Sequence, residues 1–145
     1  MRILCVCLGN ICRSPMAEGA VRRAAAEAGL DWHVDSAGTG DWHIGSPPDP
    51  RGLAAAARRG YDNSDQRARQ VDPADFTACD LILAMDASNH ANLTRVAPQG
   101  TAEKVRMFDP DGRDVPDPYF GGPEGFDDVL DMIETAARAL VARHA

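Results

Sequence analysis

Short apolar runs separated by polar turns divide this chain into alternating strand-like and helix-like segments. Arg2–Cys7 (Arg-Ile-Leu-Cys-Val-Cys) is mostly apolar and of strand length, which predicts a short buried β-strand. A helix is predicted over residues 15–28, with Ser14 as N-cap, Pro15 at the first position and Gly29 as the stop. A second strand lies around residues 33–36, and a second helix starts after Asp49-Pro50, carries Leu53 and the alanine run 54–57, and reaches Gly60. Residues 80–85 (Asp-Leu-Ile-Leu-Ala-Met) give the clearest buried strand, followed by a helix around 88–96 and a short strand near Val105–Met107. The last helix, 126–144, sets Val129, Leu130, Ile133, Ala137, Leu140 and Val141 at helical spacing. No repeat or low-complexity linker interrupts the pattern. Alternation of this kind predicts one α/β domain over residues 1–145, built on a parallel sheet.

Parallel strands joined by right-handed crossovers place their strand-to-helix loops on one edge, where ligands bind. Three such loops are informative: 8–14, then 37–49 with Trp42 and His43, then 109–125, rich in proline, glycine and aspartate. The third is long for a compact domain, and structureless loops of that length tend to be functional. All three are expected to converge on Cys7.

Composition narrows the setting. With 44% hydrophobic and 26% charged residues, the chain has the make-up of an ordinary globular protein of 145 residues. No apolar run approaches a membrane span, and the N-terminal run is too short for a signal-peptide core. A cytoplasmic location is expected. A formal charge of −7 argues against nucleic acid or an anionic membrane as partner. Three of the four cysteines fall within eight residues, so they do not form a secreted disulfide framework, and their spacing fits no usual zinc pattern. His33, His43, His90 and His144 show no ligand spacing and read as surface or packing residues.

The candidate chemistry sits in Cys7-Leu8-Gly9-Asn10-Ile11-Cys12-Arg13-Ser14-Pro15. A tight loop opening a helix points backbone N–H groups at one spot, and the helix dipole adds partial positive charge there. Arg13 adds a planar fork of donors matched to phosphate oxygens. Both features favour the thiolate form of a cysteine at the mouth of such a nest. The assembly predicts an anion site with a nucleophile at its floor. The bland reading of Cys5 and Cys7 is alternation along a strand, where free cysteine is often inert core. An acid for the leaving group is expected from the third loop, which offers Asp109, Asp111, Asp114 and Asp117; composition does not choose among them.

The run Val6-Cys7-Leu8-Gly9-Asn10-Ile11-Cys12-Arg13-Ser14-Pro15-Met16-Ala17-Glu18 resembles the signature of the low-molecular-weight protein tyrosine phosphatases. Asp35-Ser36-Ala37-Gly38-Thr39 with Trp42, Ser46-Pro47-Pro48-Asp49-Pro50-Arg51, and Asp117-Pro118-Tyr119 fit the same family, and length and motif order extend the likeness over essentially the whole chain. The resemblance implies a three-layer sandwich with a four-stranded parallel sheet in the order 2-1-3-4, flanked by helices, with the phosphate loop after the first strand. It implies a phosphocysteine intermediate on Cys7, transition-state stabilisation by Arg13, and Asp117 as general acid and then base.

Phosphate would be held by the loop residues Leu8, Gly9, Asn10, Ile11, Cys12 and Ser14. Leu8, Trp42 and Tyr119 would form an apolar rim deep enough for a tyrosyl phosphate. The bland reading of Trp42 and Tyr119 is half-buried packing. Phe120 stands where many relatives carry a second tyrosine. Asn10, Ser14 and Ser36 match the family's support for the loop, and Gln66 takes the place of a histidine that relatives use to complete it. Cys12 is expected to face Cys7, either as a small buried filler or as a thiol that traps oxidised Cys7 as a disulfide. Phosphotyrosine-containing proteins are the implied partners, a tyrosine kinase's own phosphotyrosines among them, with inorganic phosphate as product and neither cofactor nor metal.

Three other functions remain in view. An arsenate reductase of the same fold would need further cysteines as a relay, and only Cys79 lies beyond the loop. A phosphotyrosine-binding module would be marked by loss of Cys7, Arg13 or Asp117, and all three are present. A phosphocysteine carrier would have less use for Arg13 and an acid.

Overall fold

The strand β1 (Arg2–Cys7) is buried on both faces, and its two sets of side chains feed two separate cores. Ile3, Cys5 and Cys7 pack with residues of α1 (Arg13–Glu27), α2 (Pro50–Arg58) and α5 (Glu124–His144). Leu4 and Val6 lie on the opposite face, with Phe76 of α3 (Pro73–Ala78) and Leu93 of α4 (Ala87–Val96). The alternation of a strand thus builds a three-layer sandwich, helices on both faces of one sheet. The computed structural model describes residues 1–144.

In the sheet, β1 pairs with β2 (His33–Gly38) on one side and β3 (Leu81–Ala84) on the other, and β3 pairs with β4 (Val105–Met107). All pairings are parallel and the order is β2-β1-β3-β4. The chain leaves β1 to one side for β2 and returns to the other for β3. The carboxyl ends of β1 and β3 therefore flank the point where a doubly wound sheet opens a ligand crevice.

The predicted elements are present, with shifted ends. β2 runs on to Gly38, α4 starts at Ala87, and α1 ends ahead of Gly29, whose φ of 73° suits glycine at a helix end. Asp49 caps α2 by accepting from the Arg51 amide at 2.9 Å. α3 was not predicted. It has six residues and a single buried side chain, Phe76, so no periodicity announces it; its signals are Asp72, Pro73 and Asp75, which form a capping box. Among the described residues, no helix is long and apolar enough to cross a membrane.

Candidate active site

Cys7 closes β1, and the chain then curls tightly before entering α1. The second loop is fastened against this curl: the amides of Thr39 and Gly40 donate to the carbonyls of Cys7 and Leu8, both at 2.9 Å. A Cβ at Gly38 would lie 2.7 Å from the Leu8 oxygen, so the close approach depends on glycine there.

Asn10 has a φ of 58°, the one non-glycine residue in the left-handed region among those described. Its side chain holds that conformation in place. Nδ2 donates to Ser14 Oγ at 2.8 Å and to Ser36 Oγ at 3.0 Å, while Oδ1 accepts from the Arg69 amide at 3.0 Å. Its backbone N–H points at Cys7 Sγ, 3.3 Å away. The structure thus brings Asn10, Ser14 and Ser36 together around the loop that follows Cys7.

One further feature of this network was not read from the sequence. Ser36 Oγ donates to Glu18 Oε1 at 2.7 Å, which puts a buried carboxylate at the far end of a hydrogen-bond chain that begins at Cys7. Burial pushes the Glu18 pKa up, and hydrogen bonds from Ser36 and Arg22 pull against that rise. The helical placement of Glu18, one turn after Ser14, was the available signal.

Ser14 is not the N-cap. Cys12 occupies that position without a side-chain bond, and Ser14 lies inside the first turn. Its hydroxyl is committed elsewhere: it sits 3.0 Å from Cys7 Sγ and accepts from Asn10. With Cys12 at the N-cap, no side chain caps the first-turn N–H groups of α1.

Arg13 is only 3% exposed. Nη1 donates to Asp86 Oδ2 at 2.6 Å and to the Val115 carbonyl at 3.0 Å. Nη2 stands 3.8 Å from Asp117 Oδ2, and Nε has no protein partner among the described residues. Asp86 was not singled out in the sequence. It lies two residues beyond β3, and its second oxygen caps α4 by accepting from the Asn89 amide at 2.7 Å. An aspartate in the short turn between a central strand and the helix it caps lies at the sheet edge where the site forms, and that position is the signal that could have found it.

The third loop sorts its own aspartates. Asp109 is buried, held below the usual carboxylate range by Arg113 and by backbone N–H donors against the effect of its burial. Asp114 accepts from the Ala87 amide, and Asp111 is 77% exposed beside Arg113. Asp117 alone of the four lines the cleft with Cys7 and Arg13. Its side chain is 38% exposed, and its Oδ1 accepts from the Tyr119 amide at 3.0 Å.

The cleft encloses about 170 Å³. Gly9, Ile11 and Cys12 line it beside Cys7, and Leu8, Trp42, Tyr119 and Phe120 form its walls. Trp42 is 69% and Phe120 92% exposed, and the Tyr119 and Phe120 rings meet edge to face at 5.0 Å. His43 also lines the cleft, packed so closely over Gly9 that a Cβ there would come within 2.9 Å of its ring.

Burial first, then the nearby Asp49 and Asp117 charges, push the Cys12 thiol up to about 12. Cys5 is fully buried and raised for the same primary reason. Cys79 precedes the amino end of β3, whereas Cys7 ends β1 at the carboxyl edge, so the two thiols lie at opposite ends of the sheet. Among the described residues, no group of three His, Cys, Asp or Glu side chains is arranged to hold a metal ion.

Gln66 stands beside the Asn10–Ser14–Ser36 network without joining it. Its Nε2 donates to the Pro15 carbonyl at 3.2 Å and to Asn63 at 3.4 Å, and its buried Oε1 has no partner among the described residues. Loss of two long hydrogen bonds, at 3.2 and 3.4 Å, is offset in large part by removal of an unpartnered acceptor. Gln66→Ala should therefore move the urea midpoint by less than about 1 kcal/mol of stability and leave phosphate affinity unchanged. A large fall in phosphate affinity would place Gln66 among the supports of the loop.

The arrangement is a buried thiol, an immobilised guanidinium and a carboxyl group facing one anion-sized nest. A low molecular weight protein-tyrosine-phosphatase of Streptomyces coelicolor is 46% identical, over 97% of this chain and 92% of its own length. The protein tyrosine phosphatase of Entamoeba histolytica, solved with Hepes in its active site, superposes with a TM-score of 0.94 at 37% identity, covering 99% of this chain and 96% of that one. Wzb of Vibrio vulnificus, solved in complex with benzylphosphonate, gives 0.90 at 31% identity over 98% and 97%. Residues 2–144 match the family model described as low molecular weight phosphotyrosine protein phosphatase. With nearly its whole length matched, this chain belongs to the low molecular weight phosphotyrosine protein phosphatase family.

Proposed function

We propose that this protein is a phosphotyrosine phosphatase, acting on phosphotyrosine-containing proteins and aryl phosphates through a phosphocysteine intermediate on Cys7. The observation that carries the reading is that Cys7, Arg13 and Asp117 line one cleft, with Asp117 3.8 Å from the guanidinium. The Cys7 thiolate attacks phosphorus, the bond to the tyrosyl oxygen breaks, and Asp117 gives that oxygen its proton. Asp117, now a carboxylate, takes a proton from water as the water oxygen attacks phosphorus. The P–S bond breaks, phosphate leaves and the thiolate returns.

Arg13 supports this chemistry because it is already immobile. Asp86 and Val115 hold Nη1, while Nε and Nη2 remain to meet two equatorial oxygens as charge builds on them. A thiolate only accepts hydrogen bonds. Ser14, which receives from Asn10, therefore turns its own hydrogen to Sγ, and the Asn10 N–H adds a second donor. The same two donors stabilise sulfur as nucleophile and later as leaving group.

The apolar walls set the reach. An aryl phosphate extends from rim to floor against Trp42 and Tyr119, and a seryl phosphate is too short. Assay of matched phosphotyrosine and phosphoserine peptides should give turnover on the first and near-background rates on the second; equal rates would sink the reading. The reductase alternative lacks support, since Cys79 lies at the far end of the sheet from Cys7.

A cytoplasmic, reducing setting suits a site with two thiols in its lining. Peroxide should oxidise Cys7 to a sulfenic acid, and Cys12 should condense with it, releasing water and forming a Cys7–Cys12 disulfide that a dithiol reverses. Because Cys12 titrates near 12, it is a thiol at neutral pH, and its thiolate fraction rises about tenfold per pH unit. Disulfide formation after a peroxide pulse should accelerate accordingly between pH 7 and pH 9, read by non-reducing peptide mapping. A pH-independent rate, or an intact Cys12 after reversible inactivation, would remove Cys12 from this role.

A further inference from the structure

Among the described residues, one side chain from outside the third loop hydrogen-bonds the segment that carries Asp117. Among the described residues, the only hydrogen bonds that reach residues 116–121 from beyond the third loop come from Arg51, at the start of α2. Its Nη2 donates to the Tyr119 carbonyl at 2.9 Å and its Nη1 to the Gly121 carbonyl at 3.0 Å. The guanidinium is itself fixed. Nε and Nη2 grip the two carboxylate oxygens of Asp49 at 3.1 and 3.0 Å, and the group lies 4.7 Å over the Phe126 ring.

Both ends of this clamp reach the chemistry. The backbone N–H of Asp49 donates to the Ile11 carbonyl at 2.8 Å, inside the loop that holds Cys7. At the other end, the peptide whose carbonyl bonds Arg51 belongs to Tyr119, and the Tyr119 N–H holds Asp117 Oδ1. The nucleophile loop, Asp49, Arg51, Tyr119 and Asp117 thus form one connected path. Pro116 and Pro118 stiffen the chain beside Asp117, but Gly121 and Gly122 leave the far side of the loop free to swing.

We propose that Arg51 is a positioning residue for the phosphatase reaction: by clamping the Tyr119 and Gly121 carbonyls to Asp49, it sets the Asp117 carboxyl against the leaving-group oxygen. The proposal rests on the reading of Asp117 as the acid. A planar fork is required, because one cation must span a carboxylate and two carbonyls at once; a lysine ammonium cannot hold all four oxygens in these directions.

The test compares kcat/KM, which reports steps up to P–O cleavage, for phenyl phosphate and p-nitrophenyl phosphate. Arg51→Met should lower the value for phenyl phosphate about ten- to a hundredfold, the usual cost of a misplaced catalytic group, and that for the activated p-nitrophenyl ester only a few-fold. Inhibition by inorganic phosphate should not change. In an Asp117→Asn background, adding Arg51→Met should cost less than about threefold more, because the group it positions is already disabled. Losses that multiply, or that are equal for the two esters while Asp117→Asn alone discriminates between them, would overturn the clamp and leave the acid assignment standing. An Asp117→Asn variant that does not discriminate would overturn both. Arg51→Lys, which keeps a cation beside Asp49 if the methionine variant does not fold, should show the same skew toward phenyl phosphate; wild-type values on both esters would refute the proposal.

Discussion

Cys7→Ser is expected to abolish turnover of aryl phosphates while phosphate binding persists. A serine hydroxyl in the same place would need a base to attack phosphorus, and its nearest polar neighbours, the Ser14 hydroxyl and the Asn10 N–H, are donors to the sulfur rather than bases. The loss should be on the order of 10⁴-fold or more, as for other nucleophile knockouts. Binding should survive because the anion is held by the loop amides and by Arg13, whose place is set by Asp86 and Val115 and not by the thiol. Competitive displacement of a bound oxyanion from the variant, measured by calorimetry, checks the second half. Cys12→Ser is the control. Cys12 is buried and carries its proton at neutral pH, so its loss should leave substantial activity. An inactive Cys12→Ser beside an active Cys7→Ser would reverse the assignment of the nucleophile.

What could be read from the sequence follows the range of the interactions involved. Cys7, Asn10, Arg13 and Ser14 share one turn of chain, and their local order is enough to predict a loop opening a helix. The fold was legible for a similar reason, since apolar runs and glycine stops mark β1, β3, α1 and α5 directly. Ser14 was misread because a serine just before a proline has the form of a cap, and only the folded chain reveals that Cys7 and Asn10 take up its hydroxyl. Asp86 lies 73 residues from the arginine it holds, and Arg51 lies 68 from the carbonyl it clamps. No local pattern carries such pairings; they exist because parallel topology brings the carboxyl edges of separate strands together. The choice among four aspartates needed the family resemblance, and the structure gives a physical reason for three of them: Asp109, Asp111 and Asp114 are occupied with Arg113 or with a helix start.

Asp117→Asn is expected to slow bond cleavage by about 10²–10⁴-fold on substrates with poor leaving groups, the usual worth of a positioned acid. Asparagine keeps the size and the oxygen that accepts from the Tyr119 amide, so the loop should hold its shape. What it cannot do is transfer a proton. The loss in kcat/KM should therefore shrink as the leaving phenol becomes more acidic, and nearly vanish for strongly activated esters. Turnover at saturation behaves differently. If hydrolysis of the phosphocysteine limits kcat, the variant should be slow on every substrate, because the same carboxyl must deprotonate water in the second step. A pre-steady-state burst of phenol followed by slow release of phosphate would separate the two roles in one experiment. Asp114→Asn, which alters only the group that meets the Ala87 amide, should show neither effect. Equal losses across leaving groups in Asp117→Asn, or a larger loss from Asp114→Asn, would move the acid to another residue. In the proposed mechanism, the wall position of Asp117, partly open to water yet 3.8 Å from Arg13, would let one carboxyl serve both steps, with the leaving oxygen departing and water entering along the same side of the cleft.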